Sequence, residues 1–192
     1  MSVAMEDWPR RHRITVDEYH RMAESGSFAP DARVELIDGE IIDMPPIGSA
    51  HAGTVDQLYV LLHRAVGDLA IVRCQSPIQI GDHSEPQPDF ALLVSRKGFY
   101  KDGHPTEHDT LLVIEVSDTT LADDLRRKMA LYARQGIKEY WVVDLVNRRL
   151  HVFRSPSGAG YEQTSSFDRP GALDIAALPG TSVDLSSLFR IG

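Results

Sequence analysis

LLVIEVSDTTLADDLRRKMALYARQGIKEYWVVDL, residues 111–145, reads as strand, helix, strand. LLVIEV is apolar on both faces, as expected of a strand covered on both sides. DTTLADDLRRKMALYARQG is helical in spacing and is closed by Gly136. EYWVVDL is a second apolar strand. A βαβ unit of this kind places its strands parallel, adjacent or nearly so, with a right-handed crossover. The fold class is therefore α/β (α+β): a mixed sheet flanked by helices, with the βαβ unit at 111–145.

Within that unit Val113, Glu115 and Ser117 share one strand face, and Leu112, Ile114 and Val116 share the other. Glu115 is thus a carboxylate on a central strand. Unpaired and buried, it would cost several kcal/mol or stay protonated, so a cation should compensate it. EPQPDFALLVS, residues 85–95, repeats the oddity: Asp89 stands at the mouth of an apolar run. Pro88 cannot donate to a sheet ladder, so the strand begins at or just after it. Two carboxylates from neighbouring strands form an oxygen-rich pocket suited to Mg²⁺ or Mn²⁺. The backbone carbonyl of Val116 is a candidate further ligand. Lys128 follows Leu125 by three residues and precedes Tyr132 by four, along the helix's apolar face or its margin. From there it can reach the carboxylates, orient a water or stabilise charge on a phosphate.

Outward from this centre, residues 1–13 read as a mixed-charge arm and 14–192 as a single domain. TVDE at 15–18 is a capping box opening a short helix to about Ser25. RVELIDGEIIDM is a hairpin around Asp38-Gly39. Ser49 can cap a helix running to about Val66. AIVRCQSPIQI predicts a strand bent near Pro77, and DFALLVS another. RKGFYKDGHPTEHD is a polar loop. LHVFRS, YEQTSSF and VDLSSLF supply the remaining strands and a last short element.

The composition bounds the function. The chain has 192 residues, 42% hydrophobic and 25% charged, the balance of a globular domain. Apolar runs are strand-sized, so no membrane partner is expected. The charged N-terminus lacks the apolar segment of a secretory signal. Cys74 is the single cysteine, so no internal disulfide forms, and a cytoplasmic location is expected. A net charge of −8 argues against coating nucleic acid through bulk charge, but not against a local groove or an acidic metal site. The histidines have no zinc spacing, and there is neither a glycine-rich phosphate loop nor a nucleophile elbow.

Glu35, then Pro88-Asp89, then Glu115 resembles the PD-(D/E)XK nuclease superfamily. The ordered set ELIDGE, MPP…H, QPD, VIEVS, K-x-x-x-YA-x-x-G and EYWVVD is more closely similar to the Uma-type family of predicted bacterial restriction endonucleases, over roughly residues 13–190. That resemblance implies a restriction-endonuclease-like sheet, a Mg²⁺- or Mn²⁺-dependent hydrolase acting on DNA, and a homodimer. It implies Asp89 and Glu115 as metal ligands and Glu35 as an additional acid. The superfamily's E-x-K pattern would put lysine at 117, where this chain has Ser117. The family's lysine lies on the following helix, and Lys128 matches that position. His51 and Ser117 are candidate substrate contacts.

Each residue also has an ordinary structural role. Asp89 can accept loop N–H groups, and Glu115 can pair with Arg126, Arg127 or Lys128. Glu35 on a hairpin arm can be solvated, and Lys128 can extend to water. His51 can be a capping or surface histidine, Tyr132 and Trp141 core residues, and Pro9, Arg10, Arg11 and Arg13 a solvated tail. The competing function is a nuclease fold that binds nucleic acid or a protein without turnover. A structural dimerising domain is a third class.

Overall fold

The computed structural model describes residues 11–158 and 160–190. At its centre β5 (Thr110–Ser117) and β6 (Glu139–Asp144) run parallel, in register from Val113↔Tyr140 to Ser117↔Asp144, as the βαβ reading requires. They are the middle of a six-stranded mixed sheet. Its order is β3 (Ala70–Cys74), β4 (Phe90–Val94), β5, β6, β7 (Arg149–Ser157), β8 (Gly160–Phe167), and every other pairing is antiparallel.

The alternation on β5 sorts the core into two layers. Leu112, Ile114 and Val116 pack with Val55, Leu58 and Leu62 of α2 (Ser49–Val66) on one face. The same layer takes in Val183 of β10 (Ser182–Asp184), which pairs with β9 (Ala172–Asp174). Val113 packs with Tyr132, Tyr140 and Ile37 on the other face. Trp141 is fully buried, as its core reading expects. No described helix is long and apolar enough to cross a membrane.

The helix between β5 and β6 departs from its sequence reading. It is not regular from 118 to 136: α3 spans Leu121–Asp123, a π-helical turn spans Asp124–Lys128, and α4 spans Met129–Arg134. The Met129 N–H donates to the Asp124 carbonyl five residues back, and the Tyr140 hydroxyl donates to that carbonyl at 3.1 Å. The extra residue in this turn re-aims the side chains around it, a device common at functional sites. Lys128 consequently lies inside rather than at the margin. Tyr140→Phe removes one buried hydrogen bond behind this turn. It should lower unfolding free energy by about 1 kcal/mol, read as a lower urea midpoint at unchanged slope.

The hairpin is as expected. β1 (Val34–Ile37) and β2 (Glu40–Asp43) pair antiparallel around Asp38 and Gly39, at φ 53° and 79°. Both turn residues are left-handed, the two-residue type that matches strand twist. A Cβ on Gly39 would lie 2.7 Å from the Arg13 Cβ, so glycine is also required by space. The Thr15 capping box closes reciprocally at the start of α1 (Val16–Glu24). From α1, the Tyr19 hydroxyl donates to the Val34 carbonyl at 3.0 Å and anchors the hairpin's base.

Two other expectations change. Ser49 is the first residue of α2 rather than its cap: Gly48 is the cap, and no side chain bonds the helix start. The strand read over 70–80 ends at Cys74, because Gln75 turns to φ 43° and donates its N–H to the Asp89 carbonyl at 3.0 Å. Residues 1–10 of the expected arm lie outside the described residues. Arg13 donates to the Asp38 carbonyl at 2.9 Å, and the Arg11 guanidinium is 4.0 Å from Glu40.

Candidate active site

β4 begins just after Asp89, as Pro88 dictates, and pairs with β5 from Phe90↔Ile114. One step further along that register brings Asp89 across from Glu115. The hairpin lowers Glu35 onto the same end of the sheet, and the π-helical turn brings Lys128. These four side chains are buried, at 4% exposure for Glu35, 8% for Asp89, 4% for Glu115 and 6% for Lys128. The Lys128 ammonium lies 3.1 Å from Glu35 Oε1, 3.2 Å from Glu115 Oε1 and 3.9 Å from Asp124 Oδ1. Glu35 is therefore not a solvated strand residue, and Lys128 does not extend to water.

Each carboxylate is held by further groups. Asp89 accepts the Val116 N–H at 2.8 Å and the Gln75 amide at 3.1 Å, and its Oδ2 lies 3.1 Å from His51 Nε2. Glu35 accepts the Gln87 N–H at 3.1 Å. Glu115 Oε1 accepts the Tyr132 hydroxyl at 3.2 Å. Glu115 Oε2 has no hydrogen-bond partner among the described residues. Asp124 accepts the Ser117 hydroxyl at 2.7 Å and the Thr120 hydroxyl at 2.6 Å.

The electrostatics follow from one ammonium among several acids. Burial pushes the Glu115 carboxyl well above the ordinary range; Lys128 opposes this, while Asp124, Asp89 and Glu35 add to it. Burial also raises Asp124, again against Lys128. Burial works against the Lys128 charge, but Glu115, Glu35 and Asp124 together hold the ammonium above the ordinary lysine value. Tyr132 is raised well above a free phenol by burial and by Glu115, so it remains a donor. The hydrogen bond with Asp89 raises His51, against burial and the Arg33 charge.

The cluster forms one wall of a cavity of about 600 Å³, also lined by Arg33, Asp43, Pro45, Gly48, Asp118 and Asp123. Glu35, Asp89, Glu115, Val116, His51 and Lys128 all line it. Ser117 does not: it is fully buried, with its hydroxyl turned to Asp124. Sequence reasoning missed Asp124, Gln75 and the Tyr132 hydroxyl. Asp124 was findable, because it stands four residues before Lys128, the spacing of a helical ion pair. Gln75 carried no signal, because its role depends on where β3 stops.

Fold and site together define a mixed α+β protein with a lysine–carboxylate centre at one end of its central sheet. A solved structure described as "a putative nuclease belonging to DUF820 from Anabaena variabilis ATCC 29413" shares the fold: TM-score 0.64, 20% identity, covering 92% of this chain and 97% of that one. The chain belongs to the Uma2 family, described as "Putative restriction endonuclease", whose model matches residues 16–186. This is the family that the ordered motifs resemble. No curated protein matches the chain.

Proposed function

We propose that this protein is a metal-dependent endonuclease hydrolysing DNA phosphodiester bonds. The observation that carries the reading is the buried Lys128 ammonium, within 3.2 Å of Glu35 and Glu115 in one cleft with Asp89. A chain that needed only a stable core would do as well with apolar residues here, since buried ion clusters are poor stabilisers. Family membership supports the same chemistry.

The donor set fits a hard dication. It is made of oxygens, and Glu115 Oε2 has no protein partner among the described residues. His51 Nδ1 is buried and also lacks a protein partner there. Among the described residues no three His, Cys, Asp or Glu side chains form a ready metal cage. Mg²⁺ does not need one, because it commonly binds through one or two carboxylates, waters and substrate phosphates. Asp89 and Glu115, with the Val116 carbonyl, would hold Mg²⁺ or Mn²⁺. Bound there, the ion would polarise the phosphoryl oxygen and acidify the attacking water.

The chain's own groups do the rest. Gln75, His51 and the Val116 N–H fix the Asp89 carboxylate. Tyr132 and Lys128 both donate to Glu115 Oε1, leaving Oε2 without a hydrogen-bond partner among the described residues. Lys128 remains charged and offsets the acids, so a phosphate can approach a cleft that would otherwise repel it. It also offers a compact positive charge to the non-bridging phosphoryl oxygens, which carry the negative charge as phosphorus becomes pentacoordinate in the transition state.

Purified protein with supercoiled, linear and branched DNA tests the reading. Cleavage is expected with Mg²⁺ or Mn²⁺, not with chelator, and not for the Asp89→Asn, Glu115→Gln double variant. Absence of cleavage on every substrate overturns it. Metal binding should also strengthen as pH rises, because the raised Glu115 carboxyl must shed its proton to bind. Calorimetric titrations in buffers of different ionisation enthalpy should show proton release on binding that diminishes as pH is raised. Affinity independent of pH across the range in which the protein stays folded would exclude Glu115 as a ligand.

A further inference from the structure

The cleft has two unlike walls. One carries the acids and Lys128. The other is the loop after β2, where Met44, Pro45, Pro46 and Ile47 line the cavity and Ile47 is 45% exposed. Arg33 lines the same cavity, two residues before Glu35 and just ahead of β1. Its guanidinium donates to the Pro45 carbonyl at 2.9 Å. Among the described residues no carboxylate lies within salt-bridge distance of it, although Asp43, Asp118 and Asp123 line the same cavity. Lys128, by contrast, is already shared among three acids. Arg33 is exposed and available to an anion.

We propose that the cleft admits a DNA strand whose bases are unpaired at the cleavage point, with Arg33 on a phosphate beside the scissile one and the Met44–Ile47 wall against an unpaired base. This rests on the nuclease reading above. Three observations carry it. First, the reactive groups are buried, so the scissile phosphate must turn inward to meet them. Second, the cleft is lined by both charged and apolar side chains. A duplex presents phosphates outside and keeps its bases stacked inside. Only an unpaired strand offers both to one cavity, and about 600 Å³ is the size of a site for a small ligand. Third, the rim is acidic. A duplex brings about one charge per 1.7 Å, whereas a single strand brings about half that density, so the rim repels it less.

Fluorescence anisotropy tests this with labelled single strand, splayed fork and blunt duplex of one sequence, in Ca²⁺ to separate binding from turnover. Single strand and fork should bind about ten-fold tighter than duplex, the scale of burying one apolar side chain against a base. Arg33→Ala should weaken single-strand binding and make its salt dependence shallower by about one phosphate contact. In Mn²⁺ the same variant should raise KM more than it lowers kcat, as expected of binding lost equally in ground and transition states. Ile47→Ser should weaken single strand more than duplex. Val146→Ser, an exposed apolar position outside the cleft, is the control. Duplex bound as tightly as single strand, or Ile47→Ser behaving like Val146→Ser, overturns the proposal. Preferred cutting of duplex would do so while leaving the nuclease reading intact. Selective single-strand binding without cleavage of any substrate would sink the nuclease reading instead. No binding of either form overturns both.

Discussion

Lys128→Met should lower unfolding free energy by about 3–5 kcal/mol at pH 8, the cost of leaving a buried charge without its partner. Methionine keeps the length and the apolar stem, so the loss measures the ammonium rather than a cavity. Glu35, Glu115 and Asp124 would then face one another with no cation among them. The pH dependence follows from linkage. The folded-state value of Lys128 is raised, so its stabilisation is fully present below about 10.4 and is lost only as pH climbs beyond that. In the variant Glu115 and Asp124, raised by burial and no longer opposed by the ammonium, take up protons on folding, so stability rises as pH falls toward the ordinary carboxylate range. Denaturant midpoints at pH 5 and pH 8 should therefore converge on wild type at the acid end. Turnover should fall by about two to three orders of magnitude at either pH, the scale of one lost electrostatic stabiliser. Lys128→Arg should restore part of the stability but not full activity, because a planar fork does not replace a point charge among three acids. A variant as stable as wild type at pH 8 would show that the ammonium does not hold the cluster.

The sheet was legible where period and turn chemistry agree. LLVIEV and EYWVVD read as buried parallel strands because neither alternates, and Asp38-Gly39 forces a hairpin whatever surrounds it. Pro88 set the start of β4 because it cannot join a ladder. The misreadings share another cause. The helical pattern through DDLRRK assumes 3.6 residues per turn, whereas the chain makes a π-helical turn whose Asp124 carbonyl also accepts the Tyr140 hydroxyl from β6. The early end of β3 depends on Gln75 bending back to Asp89. Both are tertiary contacts, and neither leaves a periodic trace.

The site was legible through expense. Glu115 inside LLVIEV and Asp89 before FALLV are costly unless something compensates, and that cost locates them without any motif. Glu35 was less visible: VELI is a four-residue strand with no interruption in its burial, and only the fold shows that its acid meets Lys128. Helix spacing put Lys128 on the face that turns to the sheet, and the ordered resemblance pointed to the same residue; the structure turns its neighbour Arg127 outward to Glu40 at 2.7 Å.

Glu115→Gln should separate stability from function. The substitution keeps the side chain's size and can still accept from Tyr132 and Lys128, while removing one of three negative charges that share a single ammonium. Burial raises the Glu115 carboxyl, against the pull of Lys128, so its folded-state value lies well above the unfolded one. Such an acid binds more protons in the folded state than in the unfolded, and stability falls as pH rises from the ordinary carboxylate range toward the raised value. Glutamine has no such penalty. The variant should match wild type near pH 4–5 and equal or exceed it at pH 8, with a flatter profile between. Turnover should move the other way, down by about two to three orders of magnitude, because a neutral amide holds a dication poorly and gives the cleft less negative charge to share with it. Thermal unfolding at several pH values, with and without Mn²⁺, reads both halves. Added Mn²⁺ should raise the melting temperature of wild type through native-state binding and raise that of the variant much less. A variant that is less stable at pH 8 and equally protected by Mn²⁺ would mean that Glu115 is a structural partner of Lys128 and not a ligand.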